Sequence, residues 1–462
     1  MKKSFLIIYF LSLPIFALAQ EYIVEATIKG IENQECYLGY YFGDKQFVRD
    51  TVIASSSGYV KFKSDEPLNH GIYLLVMEDM TWIEIIVASP YVSFIANKQD
   101  LLSSIVFQNS NQNTQFYEYQ KFMKKMTDTA TPLREKINNP SVSKKEKDKI
   151  QNNLDEMGNL VQTNNQKFID NNPNTLLSKI LLASQEVPVP QSNGNPNNIF
   201  RTRFLQKHYL DNVDFNDERM LRTPIFHKKV DFYLNNLTYQ VPDSVINSIE
   251  FIMSKTNDYE VFKYLVNHLT HRFETSKIMG MDEVFVHMVY KYINSDKVDW
   301  IDETQLFKIK DRADKLAPIL LGKIASDFQM KDNKGVYKTL HSVDSDFTIL
   351  CFYDPDCSHC KKEVPLLKDL KERVIDTGLQ LQIVAVNVEL ESEKWHKFIK
   401  EHQINDWVHL ENFNLKSDFR RYYDIYKTPE LFLLDKNKKI LAKRLGVEQL
   451  EDFIQNKIIE NN

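Results

Sequence analysis

Apolar and polar side chains alternate with a period of two along the first hundred residues. Val24, Ala26 and Ile28, for example, alternate with polar neighbours. This period is typical of strands with one buried face. Further short apolar runs, separated by Gly, Pro, Ser and Asp, stand at 36–42, 72–77, 82–87 and 92–96. The pattern predicts an antiparallel β-sandwich or barrel over residues 20–108.

From residue 109 the apolar period becomes that of a helix. Ser143 and Glu146 form a capping box at the start of one helical segment. Its apolar residues recur every three or four positions, at Ile150, Leu154, Met157 and Val161. The Pro- and Asn-rich stretch 187–198 interrupts the helical pattern and is predicted to be a loop. We therefore expect a central, all-α helical domain over residues 109–316.

The last third of the chain alternates between strand and helix patterns. Phe347–Tyr353 and Leu381–Val388 are continuous apolar runs, which are typical of strands buried on both faces. A helical pattern at Glu363–Val374 lies between them, and a hairpin-like turn stands at 435–438. An α/β domain with a mixed sheet is predicted over residues 317–462. The whole chain is then a multidomain α+β protein.

Length, composition and charge agree with this division. The chain has 462 residues, which is enough for about three domains. Its content of 43% hydrophobic and 12% aromatic residues can fill sizeable cores. The net charge is −5 and no segment is strongly basic, so nucleic acid is not expected as a partner.

The N-terminus has the pattern of an export signal. Lys2 and Lys3 precede an apolar stretch at 5–16, and the small residues Ala17 and Ala19 follow. This order predicts a cleavable signal peptide at 1–19. The apolar stretch is too short to span a bilayer securely, and no later segment reaches that length. We expect a periplasmic protein with no transmembrane segment after cleavage.

Four cysteines occur in the sequence, and two of them, Cys357 and Cys360, are separated by Ser358 and His359. This motif follows a buried strand and begins a helix. The amide groups and dipole of a helix N-terminus stabilise a thiolate, which is the form that attacks disulfides. Cys357 is therefore predicted to be the exposed nucleophile and Cys360 the shielded resolving thiol, with a redox-active disulfide between them.

The neighbours of the two cysteines act on the thiol pKa in opposite directions. His359 favours the thiolate, whereas the negative charges of Asp354 and Asp356 disfavour it. A zinc half-site would need a second ligand pair, and none follows at suitable spacing. His268 and His271 have helical spacing but no evident third ligand. A purely structural disulfide would close too small a loop to stabilise much. No metal is expected.

Several motifs in the last third resemble the thioredoxin superfamily, and within it the TlpA/ResA-like thiol–disulfide interchange proteins. In chain order, the matching pieces are Ala325–Phe328, Asp332–Gly335, Cys357–Cys360, Glu363 with Pro365, and Thr428-Pro429 before Leu431–Asp435. The resemblance implies a thioredoxin fold in which Pro429 is a cis-proline facing the two sulfurs. It also implies that the backbone of Thr428 pairs with substrate and that Glu363 passes protons to Cys360.

The sequence departs from the family at three positions. Asp356 stands where the family usually has a tryptophan before the first cysteine, and Tyr353 stands three residues earlier, where tryptophan is also frequent. Cys351 replaces a buried polar residue that thioredoxins carry six positions before the first cysteine. The absence of that polar residue leaves Glu363 as the main candidate for a proton acceptor, with a first-turn glutamate that complements the helix dipole as the alternative. Cys351 itself is expected to be a buried packing residue, with a third redox thiol as the alternative.

The leading hypothesis is a thiol–disulfide oxidoreductase that exchanges disulfides with protein thiols and needs no cofactor. The resemblance favours the reductase direction, with electrons from a membrane-embedded thiol donor. One alternative is a non-catalytic periplasmic binding or docking protein with a vestigial thioredoxin-like domain. Another is a thiol peroxidase, although the threonine of the peroxidatic motif is missing before Cys357. The substrate, the oligomeric state and the ligands of the first two domains are left open.

Overall fold

A computed structural model describes residues 22–190, 198–389, 391–411 and 419–461. The predicted signal peptide at 1–19 lies outside these ranges. The chain forms two compact units. The first contains the described residues up to Thr238 together with Ser254–Phe262, and the second contains Tyr239–Met253 and the described residues from Lys263 onward.

Two four-stranded sheets make up the N-terminal region, in the orders β4-β1-β7-β8 and β3-β2-β5-β6. The strands are β1 (Tyr22–Lys29), β2 (Glu35–Phe42), β3 (Lys45–Ile53), β4 (Tyr59–Ser64), β5 (Gly71–Met77), β6 (Trp82–Val87), β7 (Tyr91–Asn97) and β8 (Val106–Phe107). Val24, Ala26 and Ile28 are buried on one face of β1, as their alternation predicts.

Most strand pairs in these sheets are antiparallel, but β1 and β7 run parallel, with Ile23 opposite Tyr91. Parallel neighbours need a long crossover between them, and the five intervening strands supply it. Because alternation gives the period of a strand and not the direction of its neighbour, the sequence did not reveal this pairing.

The predicted helical region is confirmed as helical. One short helix, α1 (Leu101–Ser104), precedes this region and lies between β7 and β8, within the stretch predicted as β-structure. The helices of the region itself are α2 (Asn111–Asn138), α3 (Lys144–Asn171), α4 (Leu176–Ser184), α5 (Asn198–His208), α6 (Phe226–Asn236), α7 (Pro242–Met253), α8 (Tyr259–Glu274), α9 (Asp282–Met288) and α10 (Glu303–Leu316). A π-helical turn at Val289–Ile293 extends α9. The Ser143 side chain accepts a hydrogen bond from the Glu146 N–H, which caps α3 as the motif predicts.

The C-terminal region is a thioredoxin-like fold around a mixed five-stranded sheet, β13-β12-β11-β14-β15. The strands are β9 (Gln329–Lys331), β10 (Tyr337–Thr339), β11 (Phe347–Tyr353), β12 (Leu381–Asn387), β13 (Val408–Leu410), β14 (Glu430–Asp435) and β15 (Ile440–Lys443), and the helices are α11 (Ser358–Ile375), α12 (Ser392–Glu401) and α13 (Val447–Asn461). Strands β9 and β10 form a separate small hairpin. The predicted multidomain α+β architecture is confirmed, while the limits at 108 and 316 stay predictions.

Strand β11 is central to this sheet because it pairs in parallel with β12 and antiparallel with β14. All seven of its residues are buried. The face carrying Ile349, Cys351 and Tyr353 belongs to the core that also contains residues of α11 and α13. Burial on both faces thus explains why the strand is continuously apolar. The chain passes from the end of β11 through a short loop to the start of α11.

A buried ion pair connects β15 to α9 within the second unit. The Lys443 ammonium, with a side chain 2% exposed, is paired with the Asp282 carboxylate. It also donates to the carbonyl oxygen of Ile319 at 2.6 Å. Burial lowers the pKa of Lys443, while the Asp282 charge opposes this shift. The pair compensates a charge that would otherwise be costly to bury.

Within the described ranges, no helix has the length and apolar character needed to cross a bilayer.

Candidate active site

The two cysteines of the predicted motif lie at the N-terminus of α11. Cys357 is the residue just before the helix, and its N–H donates to the carbonyl oxygen of Asp354 at 3.1 Å. Cys360 follows in the first turn and is fully buried, whereas Cys357 is partly exposed. Both are free thiols. One sulfur is therefore accessible from outside, and the other is shielded behind it.

The environment of Cys357 favours its thiolate. Partial burial by itself raises the pKa of this thiol, but hydrogen bonding from the Thr428 side chain, the Cys360 N–H and thiol, and the His359 N–H outweighs burial and lowers it. These amide groups belong to the first turn of α11, where a negative charge is stabilised by groups without helical partners. Cys357 thus has the electrostatic character of a nucleophile.

Cys360 has the opposite character. Burial, together with the nearby Cys357 sulfur, raises the pKa of the Cys360 thiol to about 12. Cys351, on β11, is also fully buried, and burial raises its pKa well above the ordinary value, with a further contribution from Cys360. The two shielded thiols are therefore protonated near neutral pH, while Cys357 is the thiol prepared to ionise.

Thr428 and Pro429 lie beside the nucleophile, and the peptide bond between them is cis. The Cys357 thiol donates to the carbonyl oxygen of Thr428 at 3.3 Å. These residues belong to the loop Asp424–Pro429, which we call the cis-proline loop and which leads directly into β14. The structure thus brings together Cys357, Cys360, Thr428 and Pro429, four of the predicted site residues.

Asp356 is paired with a residue that the sequence analysis missed. Its exposed carboxylate accepts a hydrogen bond from the Lys394 ammonium on α12 at 2.8 Å, and this interaction lowers the Asp356 pKa. Lys394 also contacts Glu391 at 2.9 Å. The cation offsets the negative charge next to Cys357, so Asp356 opposes thiolate formation less than its position alone indicates.

The other predicted site residues lie around this centre with different surroundings. Ser358 and His359 occupy the first positions of α11 and are exposed. Glu363, one helical turn after Cys360, accepts a hydrogen bond from the Val447 N–H at 3.3 Å. This contact joins α11 to the start of α13. The proton-transfer role of Glu363 stays a prediction.

A second group that sequence reasoning missed surrounds the cis-proline loop. The Arg444 guanidinium contacts the carboxylates of Asp424 and Glu430 at 2.8 and 3.0 Å. Burial raises the pKa of Glu430, and Arg444 acts against this shift. Residue spacing gave no signal for the cluster, because its members come from a loop and two separate strand ends.

The two thiols should respond differently to alkylation. Because thiolate is the reacting species, iodoacetamide at pH 7 should label Cys357, while Cys360, with a pKa of about 12, stays unmodified in the folded protein. The rate should rise to half its maximum at a pH below the value of about 8.5 for a free cysteine. Peptide mapping by mass spectrometry and a pH–rate profile measure both effects.

The variant Cys357→Ser is the matched control and should take up no label, since Cys36, Cys351 and Cys360 are all fully buried. Equal labelling of Cys357 and Cys360, or a half-maximal pH at or above that of free cysteine, would contradict this assignment.

Comparison with known proteins agrees with a thioredoxin-like fold and with thiol–disulfide oxidoreductase activity in general. Residues 345–440 match a family model described as thioredoxin-like. Residues 139–316 match a domain of unknown function, DUF5106. A thiol-disulfide oxidoreductase ResA from Bacillus cereus is 25% identical over 138 residues, which are 29% of this chain and 77% of the relative.

Solved structures include similar proteins. A domain of a possible thiol-disulfide isomerase from Cytophaga hutchinsonii is 40% identical, with 32% of this chain and 99% of that chain covered and a TM-score of 0.29. A thioredoxin-like protein from Bacteroides caccae is 23% identical, with 59% of this chain and 97% of that chain covered and a TM-score of 0.46.

The C-terminal domain is a thiol–disulfide oxidoreductase of the thioredoxin fold. The chain belongs to the thioredoxin superfamily as a TlpA/ResA-like protein with additional N-terminal domains.

Proposed function

We propose that Cys357 and Cys360 are a redox couple that exchanges disulfides with protein thiols. The observation that carries this proposal is the pairing of two unlike thiols at one helix start. Cys357 is accessible and has a lowered pKa, while Cys360 is buried and has a pKa of about 12. Such an asymmetric pair is suited to nucleophilic attack followed by resolution.

In the reductase direction, the Cys357 thiolate attacks one sulfur of a substrate disulfide. A mixed disulfide forms, and the other substrate sulfur leaves as a thiolate that takes up a proton. Cys360 then loses its proton and attacks the Cys357 sulfur, which releases the second substrate thiol and forms the Cys357–Cys360 disulfide. Two electrons pass to the substrate. Glu363 is our candidate acceptor for the Cys360 proton.

The cis-proline loop is the proposed substrate-binding segment. Support comes from the Thr428 carbonyl oxygen, 3.3 Å from the Cys357 sulfur, because an extended peptide that pairs with this backbone would bring its own sulfur next to the nucleophile. Ser358, His359 and Asp356 are proposed to tune the couple. No cofactor enters this chemistry.

The proposed setting is the periplasm, where the family resemblance favours reduction of protein disulfides. Support for export is the signal-like pattern at 1–19. Reduction in an oxidising compartment requires a dithiol donor, which we propose is embedded in the membrane. A lowered Cys357 pKa acts the other way, because it stabilises the reduced pair and makes the couple more oxidising.

Trapping of intermediates tests the exchange reaction. The variant Cys360→Ser cannot resolve the mixed disulfide, so we expect covalent adducts through Cys357 that reducing agent releases. The double variant Cys357→Ser/Cys360→Ser is the matched control and should give none. Absence of adducts in the single variant, with Cys357 inert to alkylation near pH 7, would instead favour a binding protein with a vestigial pair.

A redox titration of the couple tests the direction. Under the reductase proposal, its potential should lie near that of thioredoxin, about −270 mV, and not near the about −120 mV of strong periplasmic oxidants. Glutathione or dithiothreitol buffers, with the dithiol fraction read by mass after alkylation, give this value. A potential at the oxidising end would reverse the proposed direction but leave the exchange chemistry in place.

A further inference from the structure

We infer that Arg444 is a positioning residue, whose guanidinium fixes both ends of the cis-proline loop and so holds Thr428 against Cys357. The inference rests on the proposed function, because it assigns Arg444 a role in the proposed exchange reaction. Arg444 lies at the end of β15, outside the motifs that mark the redox couple. It touches neither cysteine in the described contacts, so its effect on them would be indirect.

Arg444 contacts one residue at each end of the cis-proline loop. Its Nη2 donates to Asp424 Oδ2 at 2.8 Å, and its Nε donates to Glu430 Oε1 at 3.0 Å. Asp424 is the first residue of the cis-proline loop, and Glu430 is the residue that directly follows Pro429. One planar, rigid donor group therefore sets the separation between the two ends of the segment that contains Thr428.

Both carboxylates are buried, so they depend on this partner. The side chains of Asp424 and Glu430 are 0% and 3% exposed, whereas Arg444 is 33% exposed. Oδ1 of Asp424 has no hydrogen-bond partner among the described residues. A buried carboxylate without a cation is costly. Removal of the guanidinium should therefore displace at least one end of the loop toward water.

The backbone of Arg444 is itself fixed. Its N–H donates to the carbonyl oxygen of Leu431 at 3.0 Å, which ties it to β14. Its φ is +61°, a conformation that non-glycine residues adopt uncommonly and that persists only where surrounding contacts impose it. The preceding residue, Lys443, is anchored by its buried ion pair with Asp282. The backbone that carries the guanidinium is therefore held in a fixed position.

Glu430 lies on the face of β14 opposite to the core around Cys360, so its contact with Arg444 is a positioning contact and not a route for proton transfer to Cys360. Glu430 is opposite Phe352 in the sheet register, whereas Leu431 is opposite Cys351. Alternate residues of a strand face opposite sides of the sheet. The core that contains Cys360 includes Cys351 and Leu431. Glu430 therefore faces away from Cys360, and the cluster supports the loop from the other side of the sheet.

Loosening of the loop should be visible at the nucleophile. Hydrogen bonding from the Thr428 side chain is one of the interactions that lower the Cys357 pKa. If Arg444 positions Thr428, the variant Arg444→Gln should raise the half-maximal pH of Cys357 alkylation and reduce the rate at pH 7 by about threefold or more, as half a pKa unit requires. The KM for a peptide disulfide should rise as well, because the cis-proline loop that pairs with the substrate is no longer held in position.

The experiment compares the pH–rate profile of Cys357 in the full-length protein and four variants. Arg444→Gln removes the donor of the Arg444–Glu430 contact and Glu430→Gln removes its carboxylate, so both variants should shift the pH–rate profile in the same direction. Glu430→Gln also decides the question if Arg444→Gln does not fold. An unchanged profile in the folded variants would overturn the inference.

Two controls separate positioning from general weakening. Arg373→Gln breaks a similar two-pronged contact, in which Arg373 donates to Glu451 at 2.8 and 2.8 Å between α11 and α13. Ile454→Ala removes a fully buried side chain of α13. Neither should move the Cys357 profile, and a shift in either as large as in Arg444→Gln would overturn the inference. Because alkylation needs no turnover, the outcome is readable even if the protein fails to reduce disulfides.

Discussion

Replacing Cys357 by serine should reduce disulfide reductase activity to background, a loss of roughly three orders of magnitude or more, because the attacking thiolate is gone. A serine hydroxyl in the same place is not ionised at neutral pH, and Cys360 cannot substitute for it. Cys360 is fully buried and has a pKa of about 12. Reduction of a peptide disulfide, with dithiothreitol as electron source, measures the loss.

The variant Cys36→Ala is the control for removal of a thiol as such. Cys36 is a buried residue of β2, and burial raises its pKa, so it has no part in the exchange. Its activity should equal that of the unmodified protein. If Cys357→Ser kept a tenth or more of the activity, another thiol would be the nucleophile, and the assignment of Cys357 would be wrong.

The variant Phe352→Ala should destabilise the second compact unit by about 3–5 kcal/mol, the usual cost of removing a buried aromatic side chain. Phe352 is 0% exposed on β11. Its ring lies 5.1 Å from that of Phe419 and 5.1 Å from that of Tyr423, with further aromatic contacts to Phe432 and Phe328. A cavity at this position would leave several rings without a packing partner.

Cysteine labelling under increasing urea can assign this loss to one unit. Cys351 and Cys36 are buried in the second and first units respectively. In Phe352→Ala, Cys351 should become accessible at lower urea, while Cys36 keeps its midpoint. The control is Phe307→Ala, which removes a side chain 70% exposed on α10 and should change stability by no more than about 0.5 kcal/mol. An unshifted Cys351 midpoint in Phe352→Ala would contradict the packing argument.

The elements of the C-terminal domain could be predicted because their signals are local. A continuous apolar run marks β11 at Phe347–Tyr353, and two cysteines three apart mark the start of α11. Each signal lies within a few residues of the chain. Because the pair follows a buried strand and begins a helix, the sequence alone predicts which cysteine is the nucleophile and which is the resolving thiol.

The partners of the site residues could not be predicted in the same way. Lys394 lies 38 residues from Asp356, and Arg444 lies 20 residues from Asp424. Charged residues are frequent on any surface, so their presence carries no information about pairing until the fold is known. The parallel pairing of β1 with β7 was hidden for the same reason. Periodicity describes one strand at a time, whereas each of these contacts joins distant parts of the chain.

The Lys443–Asp282 ion pair has a practical consequence for dissecting the chain. A fragment cut at 317, the limit suggested by the alternation of strand and helix patterns, would keep the cation on β15 but discard its counter-ion on α9. The ammonium would then lie beside the Ile319 carbonyl without its ion-pair partner, immediately before the residue that holds the cis-proline loop. Redox measurements on such a truncated piece would report a perturbed loop, so the shortest faithful fragment must include α9.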